Sequence, residues 1–218
     1  MGDMGVLRRL YRLFSLRGYR NMKKVIIGLT GQSGAGKSTV SHLFEHDGFF
    51  VINADRVSRK VTSTPEVLSL LKENFGEGII LETGGLNRRA LANIVFTNKE
   101  KLQLLNSLLF PIITKEIEKM INETDSRLIL LDAPQLFESG ADKICDKIVS
   151  VIAPRDMLIE RAVERDDISY EEAENRLNSQ YPQQFFIDNS NYIIENKTTI
   201  SDLIDNTLMK IQEIRSSI

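Results

Sequence analysis

The sequence predicts an α/β fold built on a doubly wound, mainly parallel five-stranded sheet, and three observations carry that expectation. An apolar, β-branched run at residues 25–29 passes directly into a glycine-rich turn and then a helix start. Further short apolar runs at 48–52, 128–132, 147–152 and 191–195 are separated by stretches with three-to-four-residue apolar spacing. Two of these runs end in polar groups, Asn53-Ala54-Asp55 and Asp132. The carboxyl ends of strands are where open α/β sheets bind ligands.

The first run and its turn have a chemistry of their own. Gly31-x-x-x-x-Gly36-Lys37-Ser38 satisfies the Walker A pattern, with a strand before it and helical spacing of Val40, Leu43 and Phe44 after it. Glycines here let successive backbone N–H groups approach phosphate oxygens, and the following helix adds its positive end. The expected ATP contacts are therefore Gly31, Ser33, Gly34, Ala35, Gly36, Lys37, Ser38 and Thr39. Lys37 supplies a charge for the β- and γ-phosphates, and the Ser38 hydroxyl is placed to ligate Mg²⁺.

Composition sets the bounds. At 218 residues the chain is one α/β domain or a core carrying insertions. A net charge of -2 gives no global reason to expect a nucleic-acid partner. No apolar segment reaches bilayer-spanning length, so no membrane association is expected. The single cysteine, Cys145, excludes an intramolecular disulfide framework and suits a reducing cytoplasm; its strand-like apolar surroundings suggest a buried structural thiol. Residues 1–21 interleave five arginines with leucines and aromatics, which suits a targeting or surface-binding segment. Because the first core run follows Met22 directly, the reading adopted is that synthesis starts at Met22 and that residues 1–21 are a start-site artefact or a disordered tail.

Along the chain, Asp55 is a candidate to orient or deprotonate an attacking hydroxyl, or alternatively the N-cap of a helix over 56–61. Residues 65–122 read as a helical insertion, with apolar periodicity over 66–75, 88–96 and 99–121. Pro111 should there give either two helices or one kink. Arg88 and Arg89 could hold an anionic acceptor or simply face water. Asp132 ends a Walker B-like strand and is a candidate Mg²⁺ ligand. Residues 133–138 suggest a turn and short helix, with Glu138 as a pocket acid or a surface carboxylate. Two helices follow, over 155–165 and 169–180, the second opened by the capping box Ser169-x-x-Glu172. Arg161 and Arg165 share a face, with Arg176 beyond, either as lid arginines near a transferring phosphoryl group or as surface charges paired with Glu160, Glu164 and Asp166. The chain closes with a fifth strand ending at Asn196 and a helix over 200–214 presenting Leu203, Ile204, Leu208 and Ile211. Asn196-Lys197-Thr198-Thr199 lacks the acid of a guanine-reading motif, which argues against a GTPase.

The ordered set Gly28-Leu29-Thr30-Gly31 through Thr39, Asn53-Ala54-Asp55, Gly85-Leu86-Asn87-Arg88 with Leu91 and Phe96, Pro134 through Glu138, Arg161 through Asp166, Arg176 through Gln180 and Ile193 through Asn196 resembles the dephospho-coenzyme A kinases over about residues 24–209. The resemblance implies Mg²⁺-ATP-dependent phosphorylation of the ribose 3′-hydroxyl of dephospho-coenzyme A, the last step of coenzyme A synthesis. It implies a nucleotide core (22–64, 123–154 and 186–218), a helical substrate domain (65–122) and a lid (155–185). It also implies that Asp55 activates the hydroxyl, that Arg161 and Arg165 lie near the ATP phosphates, that Asn196 belongs with the nucleotide contacts, and that Arg88 and Glu138 contact the substrate. A small-molecule acceptor, a cytoplasmic location and a monomer or weak oligomer are expected. The alternatives are another P-loop nucleoside or nucleotide kinase, or a non-kinase ATP-binding switch. Three positions depart from the family pattern: Asn53 for the first acid of Asp-Ala-Asp, Phe110 for the histidine of His-Pro, and Asn87 for the acid beside Arg88.

Overall fold

A computed structural model describes residues 23–218; the segment 1–21 and Met22 lie outside the described residues. Five strands, β1 (Val25–Gly31), β2 (Phe50–Asn53), β3 (Leu128–Asp132), β4 (Lys147–Ile152) and β5 (Tyr192–Glu195), form one sheet in the order β2-β3-β1-β4-β5. Every pairing is parallel. Parallel neighbours require crossovers, and the crossover helices cover both faces, so the strands are mainly apolar, with polar residues mostly at their ends.

Alternate strand residues divide between two cores, as the two-residue period of a strand demands. Ile27, Leu29, Leu130, Val149 and Val151 pack against α1 (Lys37–His46), α6 (Arg155–Asp166), α7 (Tyr170–Asn178) and α9 (Ile200–Ser216). Ile52, Ile129 and Leu131 pack with α2 (Ala54–Val61), α3 (Pro65–Phe75), α4 (Arg88–Phe96) and α5 (Lys99–Glu123). A short helix, α8 (Gln183–Asp188), returns the chain to β5. Among the described residues, no helix is long and apolar enough to cross a membrane.

Several local expectations need correction. Of the two outcomes expected at Pro111, the division into two helices does not occur: α5 runs for 25 residues with Pro111 inside. A proline costs its helix one hydrogen bond and a clash of about 3 kcal/mol; burial of Leu109, Ile117 and Ile121 on either side of it opposes that cost. Residues 134–140 form turns, and the short helical piece is a 3₁₀ turn at Ala141–Ile144. Cys145 lies just before β4; its Sγ donates to the Ala141 carbonyl at 3.3 Å. Burial, with Asp142 and Asp146 nearby, pushes its thiol up to about 12, so it is a structural group. On α9, Leu208 is exposed and Thr207 takes the core position, bonding its hydroxyl to the Leu203 carbonyl. The capping box at Ser169 is present, and a second one, Thr199 with Asp202, starts α9.

The middle of β1 is tightly packed. A Cβ on Gly28 would sit 2.8 Å from Leu136 Cδ2 and 2.9 Å from Cys145 Sγ. Gly28→Ala should therefore overpack this core and lower stability by about 1–3 kcal/mol, measured by urea unfolding. An unchanged midpoint would show that Leu136 and Cys145 yield freely.

Candidate active site

β1 ends at Gly31, and the chain turns through residues 32–36 before α1 begins at Lys37. Gly31, Gly34 and Gly36 adopt φ of 133°, 83° and 102°. At Gly31 the requirement is steric as well as conformational, because a Cβ would meet the Val151 carbonyl oxygen at 2.1 Å. α1 has no side-chain cap; its Thr39 and Val40 amides donate to the Gly36 carbonyl, which leaves those of Lys37 and Ser38 open to an anion.

Lys37 folds back over the turn, donating from Nζ to the carbonyls of Gly31 (2.7 Å) and Gln32 (2.9 Å). Burial lowers its ammonium to about 8, while Asp132 and Asp55 pull it up and Arg165 adds to the depression. Asp132, at the end of β3, is 7% exposed and accepts from Asn53 Nδ2 at 3.0 Å. Burial raises its carboxyl above the usual range; Ser41, Asn53 and Lys37 act in the opposite sense.

Asp55 lies in the first turn of α2 and is exposed. It is not the N-cap of that helix. Asn53 fills that role, its Oδ1 accepting from the Arg56 amide at 2.9 Å. Asp55 is thereby left free of capping and acts electrostatically on both Lys37 and Asp132.

Beside Asp55 opens a cavity of about 300 Å³ between α2, α4, α5 and the turn after β3. Ser58, Thr62, Arg88 and Gln135 give it polar groups; Phe110 and Ile113 are part of a broad apolar wall. Arg88 Nη2 donates to Thr62 Oγ1 at 2.8 Å, a partner with no signal in the sequence. Arg89 is not part of this wall. Glu138 also lies outside it, although its neighbour Ser139 lines it; partial burial raises the Glu138 carboxyl.

The arginines of α6 reach the glycine-rich turn. Arg161 Nη1 donates to the Gly34 carbonyl at 3.0 Å, and Arg165 Nη2 to Ser33 Oγ at 3.3 Å. Arg165 also forms a two-pronged pair with Asp166, which Arg176 of α7 joins. The Arg165 hydrogen bond is the first cause holding the Asp166 carboxyl down at about 2. Thus Arg165 faces the turn and pairs with an acid at once. Gln180 Oε1 accepts from the Ser33 amide at 2.9 Å. Asn196, 5% exposed, donates from Nδ2 to the Ala35 carbonyl at 2.9 Å and braces the turn from beneath.

The family model described as dephospho-CoA kinase matches residues 25–202. A dephospho-CoA kinase of Fusobacterium nucleatum is 37% identical over 182 residues, covering 84% of this chain and 94% of that protein. The crystal structure of TT1252 from Thermus thermophilus is similar with a TM-score of 0.79 at 28% identity, over 88% of this chain and 98% of that one. A dephospho-CoA kinase from Campylobacter jejuni aligns with a TM-score of 0.67 at 25% identity, over the same 88% and 98%.

Removing the Asn196 brace leaves the Ala35 carbonyl without its donor. Asn196→Ala should lower stability by about 1–3 kcal/mol and weaken ATP binding several-fold, measured by thermal denaturation with and without ATP. Equal ATP-induced stabilisation of variant and parent would show that the brace does not shape the turn.

Proposed function

The chain belongs to the dephospho-CoA kinase family, and we propose that it performs the ATP-dependent phosphorylation of the dephospho-CoA ribose 3′-hydroxyl through a site divided between the glycine-rich turn and the cavity beside it. The activity is the final step of coenzyme A biosynthesis. The observation that carries the division of roles is the convergence of Lys37, Asp132 and Asp55 in mutual electrostatic range between these two places.

On the donor side, open amides of the turn and of α1 hold the phosphates, and Lys37 neutralises charge on the β- and γ-groups. On the acceptor side, Asp55 orients the ribose hydroxyl and accepts its proton, while Arg88, held by Thr62, takes an anionic group of the acceptor. Arg161 and Arg165 already touch the turn and are well placed to stabilise charge on the transferred group. Residues 155–185 then form the lid, 65–122 carry most of the acceptor wall, and the remaining described residues make the nucleotide core. Arg161 and Arg165 also exclude water, which would compete with the ribose as acceptor. The free thiol of Cys145 suits a reducing cytoplasm.

The residues fit Mg²⁺. Ser38 and Asp132 offer hard oxygen donors. Among the described residues no group of three His, Cys, Asp or Glu side chains comes together, so the remaining ligands would be phosphate and water oxygens. When bound, the cation would neutralise charge on the phosphates.

The protein should convert ATP and dephospho-CoA to ADP and coenzyme A, read by chromatography of the nucleotides. Failure to form coenzyme A across nucleotide and cation conditions would refute the assignment. Asp55→Asn should lower kcat by about 10²-fold or more with ATP affinity nearly unchanged. Lys37→Ala should weaken use of ATP with any acceptor. Full turnover of Asp55→Asn would remove Asp55 from the chemistry.

A further inference from the structure

Asn53 stands at the end of β2, in register with Asp132 at the end of β3. Its side-chain amide uses both of its functions. Oδ1 accepts from the Arg56 amide at 2.9 Å and so starts α2, the helix that carries Asp55. Nδ2 donates to Asp132 Oδ2 at 3.0 Å. Lys37, the first residue of α1, acts on Asp132 from the donor side and favours its ionised form. One amide therefore links the strand-end acid on the donor side to the first turn of the acceptor-side helix.

We propose that Asn53 is a positioning residue for phosphoryl transfer, aligning Asp132 and the Asp55-bearing turn with each other through one side chain. The proposal rests on the roles given above to Asp55 and Asp132. Asparagine suits the place because it has an acceptor and a donor at opposite corners of one planar group. An ionised aspartate could accept from Arg56 but has no proton to donate to Asp132, and would set a second carboxylate against it. Serine could cap α2, but its shorter side chain does not extend to Asp132 at the same time. The need for two fixed reacting groups explains the consequence: a misalignment on the order of 1 Å can cost about 10²-fold in rate.

The alternative is that Asn53 only caps α2, and a double-mutant cycle separates the two. Asn53→Ser keeps a capping oxygen and loses only the bond to Asp132, whereas Asn53→Ala loses both, so Asn53→Ala should melt about 2–4 °C below Asn53→Ser. Asn53→Ser should nevertheless reduce kcat at least about 10-fold with little change in KM for ATP. It should also weaken Mn²⁺ binding to the complex with a non-hydrolysable ATP analogue, measured by electron paramagnetic resonance. In an Asp132→Ala background, Asn53→Ser should have much smaller effects on both quantities. Parental kcat and Mn²⁺ affinity in Asn53→Ser, with Asp132→Ala impaired, would overturn the positioning role alone. Undiminished effects in the Asp132→Ala background would do the same. Parental behaviour of Asp132→Ala itself would overturn the reading of Asp132.

Discussion

The close approach of β1 to its neighbour β4 is the constraint on which the rest depends. At Gly31 the last backbone unit of β1 lies so near the Val151 carbonyl that no side chain fits between them. That contact lets the chain leave the sheet at its centre, turn sharply and start α1 above the strand ends. β3 lies on the other side of β1, with Leu29 in register with Asp132. β2 lies beyond β3, with Asn53 opposite the same acid. The parallel registers therefore deliver Lys37, Asp132 and the Asn53–Asp55 turn to one edge of the sheet, and no loop has to search for the others.

Bringing those groups together concentrates charge where water is scarce, and the surroundings are arranged to tolerate it. Asp132 is nearly buried, yet Lys37, Asn53 and Ser41 all favour its ionised form. Lys37 is desolvated, yet two backbone carbonyls receive its protons and two acids face it. Neither group alone would be stable at that depth. An arriving polyphosphate adds negative charge that Lys37 and the open amides of α1 can accept without a large rearrangement, which is the condition for preorganised stabilisation.

Much of this was legible in the sequence, and the reason is locality. The five strands, the glycine spacing, the helical periodicity over 66–75, 88–96 and 99–121 and the Ser169 capping box are short-range patterns whose physics acts within a few residues. What spacing does not reveal is which distant groups meet. Arg161 reaches Gly34 across 127 positions, Gln180 reaches Ser33 across 147, and Asn196 reaches Ala35 across 161. The sequence leaves the cap of α2 open for a related reason. Asn and Asp are both strong caps, and only the strand register shows that β2 ends one residue before the helix, leaving Asn53 as the cap and Asp55 inside the first turn. At Pro111 a local rule leaves one helix or two open, and tertiary packing selects the single helix.

The arrangement of the arginines follows from the same economy of charge. Arg165 and Arg176 share Asp166, so two cations that would otherwise repel each other across α6 and α7 are held by one carboxylate. Arg165 retains its contact to Ser33 while it does so, and Arg161 is held by a neutral carbonyl. In the proposed reaction these guanidinium groups need only exchange weak partners at the turn for phosphate oxygens, with Asp166 still fixing the spacing of α6 and α7. In the proposed reaction, the acid beside the arginines would set their direction while leaving part of their hydrogen-bonding capacity for the phosphates.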